Sequence, residues 1–302
     1  MRRLLPAALL PVLLLAGCSG TAPAASSGSA SSSGKIDVVA STDVWGDVVE
    51  RIGGSDVAVT SLIDDPTKDP HDYQATTRDQ LAVTRARLVV VNGGGYDDFL
   101  DQLLKNAPSS TTTLNAADAS GLDPHPADGE FNEHIWYDLA AVSKISAAIA
   151  DRLGELDPAG RSTFQRNLKT FQGSLADLQQ EEASIKRTAA GKGVAITEPV
   201  PLYMTSALGL VDRTPEAFSK AVEEGDDIAP AVLQQELALL QQKRVAVLAY
   251  NGQTIDSTTQ KVLDTAKSAG VPVVLVRETL PSGQDYLTWM RHDLAEFRAA
   301  VA

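Results

Sequence analysis

The chain has 302 residues, with 39 acidic and 26 basic side chains, a formal charge of −13 and one cysteine. That length can bury a core and allows about two domains. The acidic balance excludes a nucleic-acid partner, which needs a basic face, and the single cysteine excludes an intramolecular disulfide and the cysteine-rich structural zinc sites.

Arg2 and Arg3 precede an apolar run over 4–15 that Pro6 and Pro11 interrupt. It is short for a membrane span and reads as the core of a signal peptide. It ends in Leu15-Ala16-Gly17-Cys18, which resembles the bacterial lipobox. Cleavage of 1–17 would leave Cys18 as a lipid-modified N-terminus. The stretch 18–34 is rich in Ser, Ala and Gly without periodicity, a flexible linker between anchor and folded body.

The first lobe is expected over 35–157. Residues 36–41 read as a strand, and 44–52 as a helix that Thr42 or Asp43 could cap and Gly53-Gly54 stops. A second strand over 57–63 leads into Asp69-Pro70-His71-Asp72-Tyr73, followed by a capping-box pattern from Thr76 to Asp79 and a helix to about 85. A third strand spans 88–91. Asn92-Gly93-Gly94-Gly95 then lacks the P-loop and dinucleotide patterns, so it reads as a tight turn into a helix over 97–104. Strand-helix alternation predicts a parallel sheet, whose ligand sites lie beyond the carboxyl ends of the strands. His71 falls at that edge. The loop 123–134 carries His125, flanked by prolines and expected to be exposed, and His134, which enters an Ala-rich helix beside Trp136.

Residues 158–190 form the longest helical pattern. Phe164, Leu168, Phe171, Leu175, Leu178 and Ile185 make one stripe, and Pro158 and Gly191 mark start and stop. Such a helix, roughly 45 Å long at 1.5 Å per residue, is expected to run along both lobes. The second lobe, 191–302, has strands at 194–197, 244–250 and 271–276 and helices at 202–209, 230–241 and 257–269, with a final amphipathic helix through Leu287, Met290, Leu294 and Phe297. Helix capping accounts for the acidic run 223–227. Glu198 and Glu278 each follow a strand, as His71 does.

Two imidazoles and two carboxylates, His71, His134, Glu198 and Glu278, suit zinc, manganese or iron(II). Taken with Asn92-Gly93-Gly94-Gly95-Tyr96, Asn132-Glu133-His134-Ile135-Trp136, Thr197-Glu198 ahead of Tyr203, and Arg277-Glu278-Thr279-Leu280-Pro281 ahead of Tyr286, the chain from 36 onward resembles the metal-binding lipoproteins of bacterial ABC importers for zinc and manganese, the cluster A-I solute-binding proteins. The resemblance implies an α/β fold of two (β/α) lobes with parallel sheets joined by one long rigid helix. It implies a metal held by His71, His134, Glu198 and Glu278, with Glu278 standing where the family usually has aspartate. It further implies a lipid-anchored extracytoplasmic monomer that carries Zn2+ or Mn2+ to a permease and its ATPase, and no enzyme activity. Glu198 in place of histidine leans toward manganese in that family, whereas intrinsic affinities favour zinc. A secreted zinc hydrolase would need three ligands, an open position and a general base, and no His-Glu-x-x-His motif is present. A metal-binding surface adhesin remains a further alternative.

Overall fold

In the computed structural model, which describes residues 34–67, 70–127 and 130–302, the apolar runs become two sheets of four parallel strands. Cys18, the signal segment and nearly all of the linker lie outside the described residues. The first sheet holds β1 (Ile36–Thr42), β2 (Val57–Ile63), β3 (Leu88–Val91) and β4 (Thr112–Asn115), in the order β2-β1-β3-β4. The second holds β5 (Gly193–Ile196), β6 (Val211–Asp212), β7 (Val247–Asn251) and β8 (Val273–Val276), in the matching order β6-β5-β7-β8. Every pairing is parallel.

The central strands β1, β3, β5 and β7 are mostly apolar because both faces of each sheet are covered. Alternate residues part to opposite sides. Val38, Ala40, Leu88 and Val90 join the central core, while Val39, Val89 and Val91 pack outward on Val83, Leu100 and Leu103. In the second sheet Val194, Ile196, Val247 and Ala249 face the same central core, and Ala195, Leu248 and Tyr250 face an outer cluster. The central core is therefore continuous through both lobes.

The spine helix, Arg161–Ala189, runs through that core and buries Phe164, Leu168, Phe171, Leu175, Leu178 and Ile185. It packs on helices Asp43–Gly53 and Leu139–Leu156 of the first lobe, and on Leu202–Ala207 and Tyr286–Ala300 of the second. It starts three residues later than the sequence suggests. Asp157 folds the intervening residues into a turn, its carbonyl accepting from Gly160 N and its carboxylate from Ala159 N.

Two further expectations need correction. Thr42 stands at the N-cap of helix Asp43–Gly53 but makes no side-chain cap bond; Asp43 instead accepts from the backbone N–H of Leu280 at 3.1 Å, linking the two lobes. The run 223–227 does not cap helix Pro230–Gln241, whose N-cap is Ala229. Glu223 ends a separate helix, Glu216–Glu223, that sequence reasoning missed. The glycine turn is as expected: Gly93, Gly94 and Gly95 all have positive φ, and the Asp97 carboxylate accepts from Asn92 N and Gly93 N. That carboxylate occupies backbone N–H groups that a phosphate-binding loop would need free.

Candidate metal centre

The carboxyl ends of the two sheets supply one cluster of side chains. His71 stands in a 3-10 turn, Pro70–Asp72, that follows β2. Tyr73 N donates to Pro70 O at 3.0 Å, and the Tyr73 hydroxyl donates to Asp79 at 2.8 Å. Asp79 is itself fixed by the capping box with Thr76 that the sequence predicts. The turn is thus tied to the start of the next helix.

His134 is wholly buried. Asn132 Oδ1 accepts from the His134 backbone N–H at 3.1 Å and meets its Nδ1 at 2.8 Å. A backbone N–H can only donate, so the Asn132 atom is the oxygen and Nδ1 carries the proton. Nε2 is left as the free lone pair of the neutral ring, and it has no hydrogen-bond partner. This is the arrangement of a metal-binding imidazole with its other nitrogen held by an acceptor. Trp136 meets the ring edge-on, centroids 5.2 Å apart. Asn132 is held in turn, its Nδ2 donating to Pro199 O at 3.0 Å and its carbonyl accepting from Tyr203 OH at 2.8 Å.

Glu278 follows β8 and its side chain is 1% exposed. Oε1 accepts from Asn251 Nδ2 at 2.8 Å, Oε2 from the Tyr96 hydroxyl at 3.1 Å, and its backbone N–H donates to Gln253 Oε1 at 2.6 Å. Oε2 lies 3.5 Å from His71 Nε2 and 3.6 Å from His134 Nε2. Tetrahedral coordination with bonds of about 2.1 Å sets ligand atoms about 3.4 Å apart. The Glu278 oxygen already stands at nearly that spacing from each imidazole, and all three donors lie within 4.8 Å of one another.

Electrostatics couple the same groups. Burial works against the charged form of His134, but Glu278 and then Glu133 and Glu223 outweigh it and push its pKa up to about 9. Burial alone would raise Glu278; contact with His134, the charge of His71 and the Asn251 bond hold it below the usual carboxylate range. These carboxylates favour a proton on His134, which an arriving cation would have to displace to reach the Nε2 lone pair.

Glu198 is buried beside this trio but, among the described residues, belongs to no set of ligand atoms this close. Burial, then repulsion from Glu278, pushes its pKa up to about 8, and its Oε2 lacks a partner. Of the four sequence candidates, the structure brings together His71, His134 and Glu278, with Glu198 adjacent. Among the described residues a second close set, His71, Glu133 and Glu223, shares His71 with the first. Glu223 Oε1 lies 3.7 Å from His134 Nε2. Sequence reasoning missed both glutamates; the one signal for Glu133 was its place beside His134. His125 is exposed, as expected.

Residues 38–300 match the family described as zinc-uptake complex component A, periplasmic. The chain is 24% identical over 318 aligned positions to the metal ABC transporter substrate-binding lipoprotein ScbA of Streptococcus cristatus, covering 99% of this chain and 98% of that one. It is 30% identical over 171 positions, 56% of this chain and 54% of the other, to the manganese-binding lipoprotein MntA of Halalkalibacterium halodurans. Among solved structures it superposes on the periplasmic zinc-binding protein TroA of Treponema pallidum with a TM-score of 0.73 and 19% identity, over 89% of this chain and 100% of that one. A zinc-bound ZnuA deletion mutant gives a TM-score of 0.74 and 22% identity, over 89% and 99%.

Proposed function

The chain belongs to the family of periplasmic zinc-uptake complex A components, and on that premise we propose that it is an extracytoplasmic solute-binding protein that captures a divalent transition metal and delivers it to an ABC permease and its ATPase. The cargo is zinc or manganese. Its inner ligands are His71, His134 and Glu278, and Glu198 completes the set when it loses its proton and turns toward the ion. Lipid on Cys18 and the linker 18–34 keep a monomeric body at the outer face of the membrane. That body consists of lobes 35–157 and 191–302 on the spine helix Arg161–Ala189.

One observation carries this reading. A wholly buried imidazole nitrogen without a partner, its tautomer set by Asn132, faces a buried carboxylate and a second imidazole at near-coordination spacing. A buried polar atom left unpaired is costly, and a cation would satisfy it. Two imidazoles with carboxylates accept zinc, manganese and iron(II) alike, so geometry and supply select the ion.

The test is metal analysis of protein purified without added metal, with calorimetric titration by Zn2+ and by Mn2+. One ion per chain is expected for the wild type, with no measurable binding by His71→Ala/His134→Ala. Unchanged binding by that double variant would overturn the site.

A further inference from the structure

The second set of ligand atoms calls for its own account. His71, Glu133 and Glu223 line an open cleft of about 600 Å³ between the two lobes. His134 and Glu278 do not line it. An ion arriving through the cleft therefore meets the outer glutamates before the inner donors. His71, with its side chain 25% exposed, is the one ligand common to both sets.

Glu223 bridges them. Its side chain is 16% exposed, but Oε1 is buried and has no hydrogen-bond partner. It points toward His134 Nε2, which is also buried and unpartnered. Lys220, the cation on the same helix, pairs with Glu130 and Glu224 at the rim. No hydrogen bond joins the buried carboxylate oxygen to the ring nitrogen 3.7 Å away, and buried polar groups normally have such partners. A divalent cation between them would satisfy both.

We propose that His71, Glu133 and Glu223 form an outer cation subsite, through which a divalent ion passes on its way to and from the inner ligands. This rests on the capture reading above. The ion exchanges Glu133 and Glu223 for His134 and Glu278 while His71 stays bound. Stepwise exchange spares it from shedding all its water before any protein ligand is in place. No bond other than coordination forms or breaks, and the two sets cannot be filled together because they share His71.

An on-path subsite speeds capture and release equally, so its loss should slow both and leave the equilibrium alone. The experiment mixes metal-free protein with Zn2+ in a stopped-flow instrument and follows tryptophan fluorescence, since Trp136 lies against His134. Release is followed by dilution of the Zn2+ complex into excess EDTA. For Glu133→Gln/Glu223→Gln we expect both rates to fall about tenfold or more, with a smaller change in Kd than in either rate, since the two carboxylates also act on His134. The deficit should persist in 1 M NaCl, where the screening length is only about 3 Å. Faster release with unchanged association would make Glu223 an inner ligand and overturn the proposal. Slower association alone, restored by salt, would reduce it to electrostatic steering and also overturn it. Unchanged rates would do the same. Glu133→Gln and Glu223→Gln read singly keep the test open should the double variant not fold. If wild-type protein binds neither Zn2+ nor Mn2+, it is the capture reading that fails.

Discussion

Asn132→Ala removes a group that touches no ion yet sets the chemistry of one that does. Asn132 Oδ1 is the acceptor for His134 Nδ1 at 2.8 Å, and the ring is wholly buried. Without it, Nδ1–H loses its partner inside the protein, at a cost of about 1–3 kcal/mol. The ring can then turn, or carry its proton on Nε2, and either change withdraws the lone pair from the ion. Supporting bonds of this kind are worth about 10–100-fold in metal affinity. Asn132→Ala also removes the Nδ2 bond to Pro199 O, so part of any loss comes from a loosened chain. Tyr203→Phe is the control for loosening, because it removes a different tie of the same segment, the 2.8 Å bond to the Asn132 backbone carbonyl, and leaves the imidazole partner in place. Competition against a fluorescent zinc chelator gives Kd for each. We expect about 10–100-fold weaker binding for Asn132→Ala and less than about threefold for Tyr203→Phe. Equal effects from Asn132→Ala and Tyr203→Phe would refute the tautomer argument.

Metal affinity should rise with pH. The ion must displace a proton from His134, with its pKa near 9, and from Glu198, near 8, so between pH 6 and 8 Kd should tighten by about tenfold or more per unit. Calorimetry in buffers of different ionisation enthalpy should count about one to two protons released, and a pH-independent Kd would contradict this. Glu236 is fully buried without a hydrogen bond, and burial followed by Asp212 pushes its pKa up to about 8. It is protonated in the folded protein at pH values where the unfolded chain has already ionised it. Its contribution to stability is therefore full below about pH 4.5 and falls as pH rises to about 8, by up to roughly 1.4 kcal/mol per unit. Glu236→Gln should flatten that slope in urea unfolding at pH 5 and pH 8, and identical slopes would count against it.

How much of this was legible depended on where each signal resides. The inner strands were legible because burial on both faces leaves their own side chains apolar. β4 and β6 were not. β4 reads Thr112-Thr113-Leu114-Asn115 with only Leu114 buried, and β6 is two exposed residues. What defines these edge strands is the backbone ladder offered by β3 and β5, which no property of their own side chains announces. The spine was legible from one stripe, but its start was not, because Pro158 fits a turn as well as a first helical position. Helix Glu216–Glu223 was hidden by the acidic run at its end.

The donors of the site were legible one at a time, and their supports were not. Tyr96 and Asn132 stand in motifs that carry the resemblance, but nothing there marks them as supports, and Asn251 and Gln253 have ordinary sequence contexts; all four matter through contacts across the fold. Those contacts also cross between the lobes. Glu278, on the second sheet, accepts from Tyr96 of the first. Asn132, on the first lobe, orients His134 while donating to Pro199 and accepting from Tyr203 of the second. Asp43 holds Leu280 N, and Arg277 donates to Pro66 O across the same boundary. The ligands on each side are thus held by groups from the other. Separating the lobes would remove ligands and their supports together, so the geometry between lobes and the affinity for the ion form one equilibrium. The spine helix, packed on both lobes through a continuous core, opposes a large swing. A small displacement is sufficient, because donors spaced for a bond of about 2.1 Å lose coordination within a fraction of an ångström.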